Sequence, residues 1–262
     1  MKAVVITGST RGIGYGLADS FLTLGCAVTI SGRSAEGVEN AVATLAMKHE
    51  SDRLFGHSCD ITDFDQVQIL WDNSKERFSR VDIWVNNAGV SNPQADFWHQ
   101  SPKRVADVVN TNVLGAMYGS LVALQGMMEQ GFGGLYNMEG LGSDGRTMRG
   151  LAPYGTSKAG LAYLTRSLAR ETKGTAVVVG GLRPGMVLTE LITKEYEGRP
   201  DEWERFKPIL NILAERVETV TPWLAGRVLT NTKNGVTISW LTRRKVFFRF
   251  LMSPFRKRRL FD

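Results

Sequence analysis

Cysteine is scarce in this chain, with only Cys26 and Cys59 among 262 residues. Both lie in apolar stretches typical of strands, and their spacing fits no zinc site, so we predict buried free thiols in a reducing compartment and no metal centre. The sequence also lacks a run of about 18 apolar residues, the length that a membrane-spanning helix requires. It runs into a predicted strand within its first residues, which leaves no room for a signal or transit peptide. We therefore expect a cytoplasmic protein.

Acidic residues are almost missing from the C-terminal segment. The net charge is +6, but residues 243–262 hold eight basic residues and one acid, which leaves the remainder close to neutral. Aromatic residues alternate with the cations, so the basic aromatic tail, residues 240–262, is suited to peripheral contact with an anionic membrane. The alternative is a terminal helix whose phenylalanines pack on the body or on a sister subunit. Nucleic-acid binding is not expected, because no recognition motif accompanies the charge.

Short β-branched runs alternate with longer helical patterns along the first 184 residues. Strands are predicted at 4–7, 27–31, 54–58, 83–86, 135–138 and 176–180. Helices are predicted at 14–24, 35–48, 63–78, 102–128 and 154–172. This alternation requires right-handed crossovers and indicates an α/β fold with a doubly wound parallel sheet. No repeat or low-complexity linker divides the chain, so we predict a single domain over 1–262, with residues 186–215 as a substrate lid.

The first predicted strand is followed by a glycine-rich turn, Thr7-Gly8-Ser9-Thr10-Arg11-Gly12-Ile13-Gly14. Glycines permit a tight turn and let backbone N–H groups approach a pyrophosphate at the start of the next helix. Its place between a strand and a helix favours a dinucleotide-binding turn over an ordinary one.

The end of the second strand indicates which dinucleotide is preferred. Sites for NAD offer an acid there to the ribose 2′-hydroxyl, whereas this sequence reads Ser31-Gly32-Arg33-Ser34. Arg33, helped by Arg11, is suited to pair with a 2′-phosphate through charge-assisted hydrogen bonds. We therefore predict NADPH as the cofactor, with NADH as the alternative.

Three further motifs follow in order: Cys59-Asp60-Ile61-Thr62, Asn86-Asn87-Ala88-Gly89 and Tyr154-Gly155-Thr156-Ser157-Lys158. Together with the glycine-rich turn, the set resembles the short-chain dehydrogenase/reductase family over about residues 2–191. The resemblance implies a Rossmann fold, a homodimer or homotetramer, and a cofactor site made of many small contacts. Those contacts are expected at Gly8, Ser9, Thr10, Arg11, Gly12, Ile13, Gly14, Arg33, Asp60, Ile61, Asn87, Ala88, Gly89, Tyr154, Lys158, Pro184, Gly185, Val187 and Thr189.

Tyr154 and Lys158 lie four positions apart and therefore share one face of a predicted helix. An ammonium group a few ångströms from a phenol stabilises the phenolate, which suits the tyrosine to acid–base work. The family resemblance implies that Tyr154 protonates the carbonyl oxygen of a substrate and that Lys158 also holds the nicotinamide ribose. It also identifies Asn112 as the asparagine that supports proton relay.

The sequence departs from the family pattern after the fifth strand, where Gly140 takes the place of a serine that commonly binds the substrate carbonyl. Either the reaction proceeds without that hydroxyl, or Ser143 or a backbone N–H supplies the donor. The stretches Asn137-Met138-Glu139-Gly140-Leu141-Gly142-Ser143 and Pro184-Gly185-Met186-Val187-Leu188-Thr189-Glu190-Leu191 are similar to those of chlorophyll b reductases.

That similarity implies a tetrapyrrole substrate and reduction of the 7-formyl group of chlorophyll b or chlorophyllide b to a hydroxymethyl group. The substrate is expected to contact Glu139, Gly140, Ser143, Met186 and Leu191. Two other functions stay open: a ketoreductase for another bulky apolar substrate, and a catalytically weak nucleotide-binding protein.

Overall fold

The computed structural model describes residues 1–193, 199–253, 255, 258 and 260. Within this part of the chain, seven strands form one parallel sheet in the order β3-β2-β1-β4-β5-β6-β7. They are β1 (Ala3–Ile6), β2 (Ala27–Gly32), β3 (Leu54–Ser58), β4 (Ile83–Asn86), β5 (Gly133–Met138), β6 (Val177–Arg183) and β7 (Thr237–Ser239). The order reverses between β1 and β4, which is the topological switch point where doubly wound sheets bind ligands. The predicted fold class is confirmed.

Helices cover both faces of the sheet. They are α1 (Gly12–Thr23), α2 (Ala35–Ala46), α3 (Phe64–Phe78), α4 (Pro102–Val109), α5 (Gly115–Gln130), α6 (Ala152–Glu171), α7 (Glu190–Thr193), α8 (Pro200–Leu213), α9 (Val217–Thr230) and α10 (Arg243–Met252). A π-helical turn, Asn110–Leu114, joins α4 to α5. One core cluster joins α1, α2 and α9 to the sheet, and a second joins α3 and α5 to its other face. Because both faces are covered, the strands are apolar almost throughout, as the four fully buried residues of β1 illustrate.

Local sequence explains where several helices begin. Ser34 accepts a hydrogen bond from the Gly37 amide at the start of α2, and Asp63 accepts two from the amides of Asp65 and Gln66 at the start of α3. Such side chains satisfy N–H groups that have no partner within the helix. The start of α1 differs, since among the described residues no side chain caps it. Its first-turn N–H groups are therefore suited to bind an anion.

Two features of the fold differ from the sequence prediction. The seventh strand, β7, was not predicted, because three residues are too few to show a strand pattern. The predicted helix at 102–128 is two helices separated by the π-helical turn, which no helical periodicity reveals. Such turns often occur at functional sites, and this one carries Asn112.

The predicted lid contains α7 and α8, and Val187 forms an isolated bridge with Glu215 at its base. Two tail arginines close on the buried carboxylate of Glu215: Arg249 contacts Oε1, and Arg258 lies 2.7 Å from Oε2. Arg249 also donates to the carbonyl of Leu213 at the end of α8, 2.9 Å away. Although burial raises the pKa of Glu215, the two arginines bring it below its ordinary value. The tail is thus folded back onto the base of the lid.

The exposed side of α10 is strongly apolar. Phe247 and Phe248 are 63% and 58% exposed, and Phe250, Leu251 and Met252 are exposed as well. These phenylalanines are therefore largely uncovered by the described part of the protein's own body, while packing on a sister subunit and contact with a membrane both stay predictions. No helix in the described ranges has the length and apolar character needed to cross a bilayer.

Candidate active site

The glycine-rich turn lies at the carboxyl end of β1 and is fastened to the loop after β4. The Asn87 side-chain amide donates to the carbonyls of Thr7 and Gly8, at 3.0 and 2.9 Å. The Thr7 hydroxyl accepts from the backbone amides of Asn87 and Ala88. Gly8 has φ +63°, and a Cβ there would lie 2.8 Å from the Cα of Ala88. Only glycine allows the two loops to approach so closely.

Two residues of this turn are engaged within the protein. The buried Ser9 hydroxyl donates to the Ile6 carbonyl at 2.7 Å and accepts from the Ser31 amide at 2.8 Å, so Ser9 joins the turn to β2. Arg11 forms an ion pair with Glu190 of α7 at 3.3 Å. Arg33 is exposed at the end of β2, beside the turn. The pairing of Arg33 with a 2′-phosphate stays a prediction, while Arg11 links the turn to the lid.

The turn leaves an open cradle at the start of α1. Gly12 has φ +58°, and the methyl group of Thr189 lies 3.5 Å from where its Cβ would be. The cradle thus lies between the α1 N–H groups and the start of the lid. Among the described residues, α1 has no acid in its first turn, which suits it to the pyrophosphate of a dinucleotide. Thr10 and Ile13 flank these N–H groups in sequence.

Asp60 and Ile61 follow β3, at the same edge of the sheet. The Asp60 carboxylate accepts from the amide and hydroxyl of Thr62, at 3.0 and 2.8 Å, which fixes this turn. Ile61 is buried and packs against Gly115 at the start of α5. The pair therefore shapes the loop beside the site, and direct contact with an adenine stays a prediction.

Tyr154 and Lys158 occupy the first two turns of α6, with the lysine Nζ 5.7 Å from the centroid of the tyrosine ring. Nζ donates to the Met138 carbonyl at the end of β5, 2.9 Å away. The Tyr154 amide donates to the Asn92 side chain at 3.1 Å, which fixes the helix start to the loop after β4. The predicted phenol–amine pair is therefore assembled at the carboxyl edge of the sheet.

Lys158 is 4% exposed, and a buried ammonium group is costly because it has lost its hydration. Burial lowers the pKa of Lys158 to about 8, an effect that the carboxylate of Glu139 opposes. The lysine consequently remains mostly protonated near neutral pH, and it does so at a cost in stability.

Asn112 lies in the π-helical turn and is buried. Its Oδ1 accepts from the Val90 amide at 2.8 Å, and its Nδ2 donates to the Val90 carbonyl and to the Ser157 hydroxyl. A Cβ built on Gly89 would lie 3.2 Å from Asn112 Oδ1 and 3.6 Å from Lys158 Nζ. The structure therefore brings Asn112, Gly89 and Lys158 together, and the part of Asn112 in proton relay stays a prediction.

The position of the missing serine lies directly beside the phenol. A Cβ built on Gly140 would be 2.7 Å from the Tyr154 hydroxyl oxygen, so a side chain there would crowd this group. The Ser143 hydroxyl donates to the Gly140 carbonyl at 2.5 Å and accepts from the Gly140 amide at 2.8 Å. Its single proton is therefore used within the loop. The sequence left two candidate donors to the substrate carbonyl, the Ser143 hydroxyl and a backbone N–H. The Ser143 hydroxyl already donates within this loop.

Glu139 is 3% exposed and faces Arg183 of β6, with 2.5 Å between its Oε2 and the arginine Nε. Arg183 also donates to the Ser143 carbonyl at 3.2 Å. Burial raises the pKa of Glu139, while Arg183 opposes that rise. Glu139 thus lies under the loop, joined to it by an ion pair, and its contact with substrate stays a prediction.

The remaining predicted residues lie on the lid side. Pro184 and Val187 are buried, Met186 is half-buried and Gly185 is exposed. Leu191 lies in α7, but its side chain is outside the described part of the structure. Met186 accepts a backbone hydrogen bond from Glu215 at 2.9 Å, which fixes the segment after β6.

Sequence reasoning missed two residues of this site. Asn92 caps the Tyr154 amide and also donates to the Gly150 carbonyl at 2.8 Å, and nothing in its sequence context indicates this. Arg183 could have been suspected, because Glu139 follows an apolar strand and a buried acid needs a cationic partner.

Comparison with known proteins places this geometry in a family. The family described as short chain dehydrogenase matches residues 2–200. The chain is 38% identical to chlorophyll(ide) b reductase NOL, a chloroplastic protein of Oryza sativa subsp. japonica, over 86% of this chain and 66% of the relative. The protein of the same name from Arabidopsis thaliana is 38% identical, over 88% of this chain and 66% of its own length. The chain thus spans slightly less than two thirds of these relatives.

A solved structure shows the same fold. The 3-ketoacyl-(acyl-carrier-protein) reductase from Brucella melitensis, complexed with NADH, superposes with a TM-score of 0.80 at 22% identity, over 91% of this chain and 96% of that one. The family match covers the glycine-rich turn, the Asn-Asn-Ala-Gly loop and the Tyr154–Lys158 pair. The chain belongs to the short-chain dehydrogenase family of oxidoreductases.

Proposed function

We propose that this protein uses NADPH to reduce a carbonyl group on a large apolar substrate, and that the substrate is chlorophyll b or chlorophyllide b. The observation that carries the reduction is the convergence of Tyr154, Lys158 and Asn112 beside the glycine-rich turn. The pigment is supported by the names of the two plant relatives and by Gly140, which leaves the phenol uncrowded. Its 7-formyl group would become a hydroxymethyl group.

The cofactor is expected to fit the cradle at α1 with its pyrophosphate on the first-turn N–H groups. Arg33 would receive the 2′-phosphate, and Lys158 and the Asn87–Gly89 loop would hold the nicotinamide end. When bound, the reduced nicotinamide supplies a hydride to the carbonyl carbon. NADH is the alternative cofactor, since a single exposed arginine discriminates between the two by only a few hydrogen bonds.

The protein's own residues supply the proton. The Tyr154 hydroxyl donates its proton to the carbonyl oxygen, while the charged Lys158 stabilises the phenolate left behind. Asn112 holds the backbone around Val90 and the Ser157 hydroxyl, and so keeps the floor of the site rigid. With no serine at position 140, and with the amides of Gly140 and Ser143 bonded within the loop, the phenol is the donor to the carbonyl oxygen.

The direct test measures NADPH oxidation with chlorophyllide b and follows the pigment by absorbance. The wild-type protein should turn over, and Tyr154→Phe should lose at least about 100-fold in kcat, the usual contribution of a general acid, while it still binds NADPH. Tyr163→Phe is the matched control, because Tyr163 lies on the same helix but is 69% exposed. It should keep full activity.

Three outcomes would overturn the proposal. NADPH binding without turnover of any carbonyl compound would indicate a nucleotide-binding protein, a reading that the absence of the serine favours. Turnover of ketosteroids or acyl ketones, with none of formyl pigments, would indicate a general ketoreductase. Equal loss of activity in both tyrosine variants would show that the phenol at position 154 has no special role.

We further propose that the protein is a homodimer or homotetramer that pairs through α5 and α6. Met117, Leu121 and Met128 on α5 are large, apolar and exposed in the monomer, and such patches are typical of subunit interfaces. Light scattering should show an oligomer that Leu121→Arg dissociates. A monomeric wild-type protein would contradict the proposal.

Peripheral membrane contact through α10 is the remaining proposal. Its exposed phenylalanines are suited to insert below lipid headgroups, and Arg243 and Arg244, both exposed, are suited to face anionic lipid. The wild-type protein should co-sediment with phosphatidylglycerol vesicles more than with phosphatidylcholine vesicles. Phe247→Ser combined with Phe248→Ser should abolish this binding, and equal sedimentation of variant and wild type would contradict it.

A further inference from the structure

A buried acid lies beneath the active site with no role in the chemistry described so far. Glu139 directly follows β5, and its amide donates to the Leu182 carbonyl at 2.8 Å, so the backbone extends the sheet by one residue. The Met138 carbonyl, which accepts the Lys158 ammonium, immediately precedes it. Both side chains are buried, and Lys158 is among the cations close enough to oppose the rise in the pKa of Glu139.

The neighbouring strand makes room for this carboxylate. A Cβ built on Gly181 of β6 would clash with the Glu139 Oε1 atom, so a larger residue at position 181 would displace it. Two residues later on the same strand, Arg183 pairs with the other oxygen, Oε2. The site is thus shaped to hold a charged carboxylate in one orientation.

The Glu139–Arg183 ion pair also holds in place the loop that contains Gly140 and Ser143. Arg183 contacts both Glu139 and the Ser143 carbonyl, and Ser143 in turn holds Gly140 from both its amide and its carbonyl. A Cβ built on Gly140 would lie 2.7 Å from the Tyr154 hydroxyl oxygen, so this loop lies against the phenol. A displacement of Glu139 would therefore reach the phenol through Arg183, Ser143 and Gly140.

We propose that Glu139 is a positioning residue, which fixes the Gly140 loop through Arg183 and supplies the negative charge that keeps Lys158 protonated. The charged groups that face it are Arg183 from β6 and Lys158 and Arg166 from α6. The phenol of Tyr154 is the other titratable group beside Lys158. Glu139 thereby sets the alkaline limit of the reaction through Lys158.

The proposal rests on the function given above, and its test has one readout that depends on activity and one that does not. In Glu139→Gln the carboxylate is replaced by a neutral group of the same shape. Removal of a nearby negative charge favours proton loss from Lys158 and from the phenol alike. The alkaline limb of kcat/KM, measured at saturating NADPH, should therefore move to lower pH by about half a unit or more.

The second readout is the titration of Lys158 itself in protein labelled with ¹³C at the lysine Cε, with Lys158→Met used to assign the signal. Its midpoint should fall in Glu139→Gln and return toward the wild-type value in Glu139→Asp, which restores the charge. This measurement remains informative even if no pigment is reduced. Failure of the proposed function would then appear as inactive wild-type protein with an intact Lys158 shift.

Asp82→Asn is the matched control. Asp82 is also a buried carboxylate paired with an arginine, Arg80, but it lies at the opposite edge of the sheet, beside the Ala3 amide. Asp82→Asn should lower the stability of the protein but change neither the alkaline limb of kcat/KM nor the titration midpoint of Lys158. An unchanged Lys158 midpoint in Glu139→Gln, or an equal change in Asp82→Asn, would overturn the proposal.

Discussion

Replacement of Lys158 by methionine should make the protein more stable while it removes activity. The lysine is buried at full charge, and burial lowers its pKa from 10.5 to about 8. Each unit of pKa shift corresponds to about 1.4 kcal/mol, so charging this group costs the folded state about 3 kcal/mol near neutral pH. The variant also loses the hydrogen bond to the Met138 carbonyl, which costs about 1–2 kcal/mol and offsets part of the gain. The expected net gain is about 1–2 kcal/mol.

The stability gain of Lys158→Met should become smaller as the pH rises. Because the pKa of Lys158 is depressed in the folded state, the penalty is fully present below about pH 8 and disappears as the pH rises toward the ordinary lysine pKa of about 10.4. Urea denaturation of the cofactor-free protein at several pH values measures this difference. The advantage of Lys158→Met should be largest at neutral pH and should vanish at alkaline pH.

A control and a refutation are available for the same experiment. Lys173→Met changes an exposed lysine just after α6 and should give a small difference that is independent of pH. If Lys158→Met is less stable than the wild-type protein at neutral pH, or if the two differ equally at every pH, the argument from charge burial is wrong.

Three further predictions concern the loop, the cofactor site and the tail. Gly140→Ala places a Cβ 2.7 Å from the Tyr154 hydroxyl oxygen, so kcat should fall about 10–100-fold. The affinity for NADPH, measured by fluorescence titration, should not change. An unchanged kcat would show that the loop moves to make room for the methyl group. Arg33→Glu should raise the KM for NADPH at least about tenfold and leave the KM for NADH nearly unchanged. An equal change in both KM values would show that the 2′-phosphate does not bind at Arg33. Glu215→Gln leaves two arginines with a neutral partner and should cost about 2–3 kcal/mol in urea. Although burial raises the pKa of Glu215, the two arginines bring it below its ordinary value, so that cost should shrink as the pH falls through the depressed pKa. A pH-independent difference would contradict the ion pair.

The sequence predicted the parts of this molecule that depend on local pattern. Six strands, the glycine-rich turn and the Tyr154–Lys158 pair all follow from residues close together along the chain, and the doubly wound parallel sheet follows from the alternation of strands and helices. The order of the strands was not predicted. Asn112 could be assigned only through the resemblance, since its π-helical turn has no sequence pattern of its own.

Contacts between distant residues could not be predicted in this way. Arg183 lies 44 positions from Glu139, and Arg249 lies 34 positions from Glu215, so neither ion pair has a periodic signal. The tail was interpreted from its charge alone, which counted eight cations as available for an anionic partner. Two of them, Arg249 and Arg258, are neutralised inside the protein, because a folded chain satisfies its buried acids first.

The closure of Arg249 and Arg258 on Glu215 bears on how the protein is handled in the laboratory. An affinity tag fused after position 262 would be attached to the segment whose arginines bind Leu213 and Glu215 at the base of the lid. A tag before Met1 would instead emerge next to Ala3, where β1 begins, at the edge of the sheet remote from Tyr154. Purification through the amino terminus should therefore preserve substrate affinity better than purification through the carboxyl terminus.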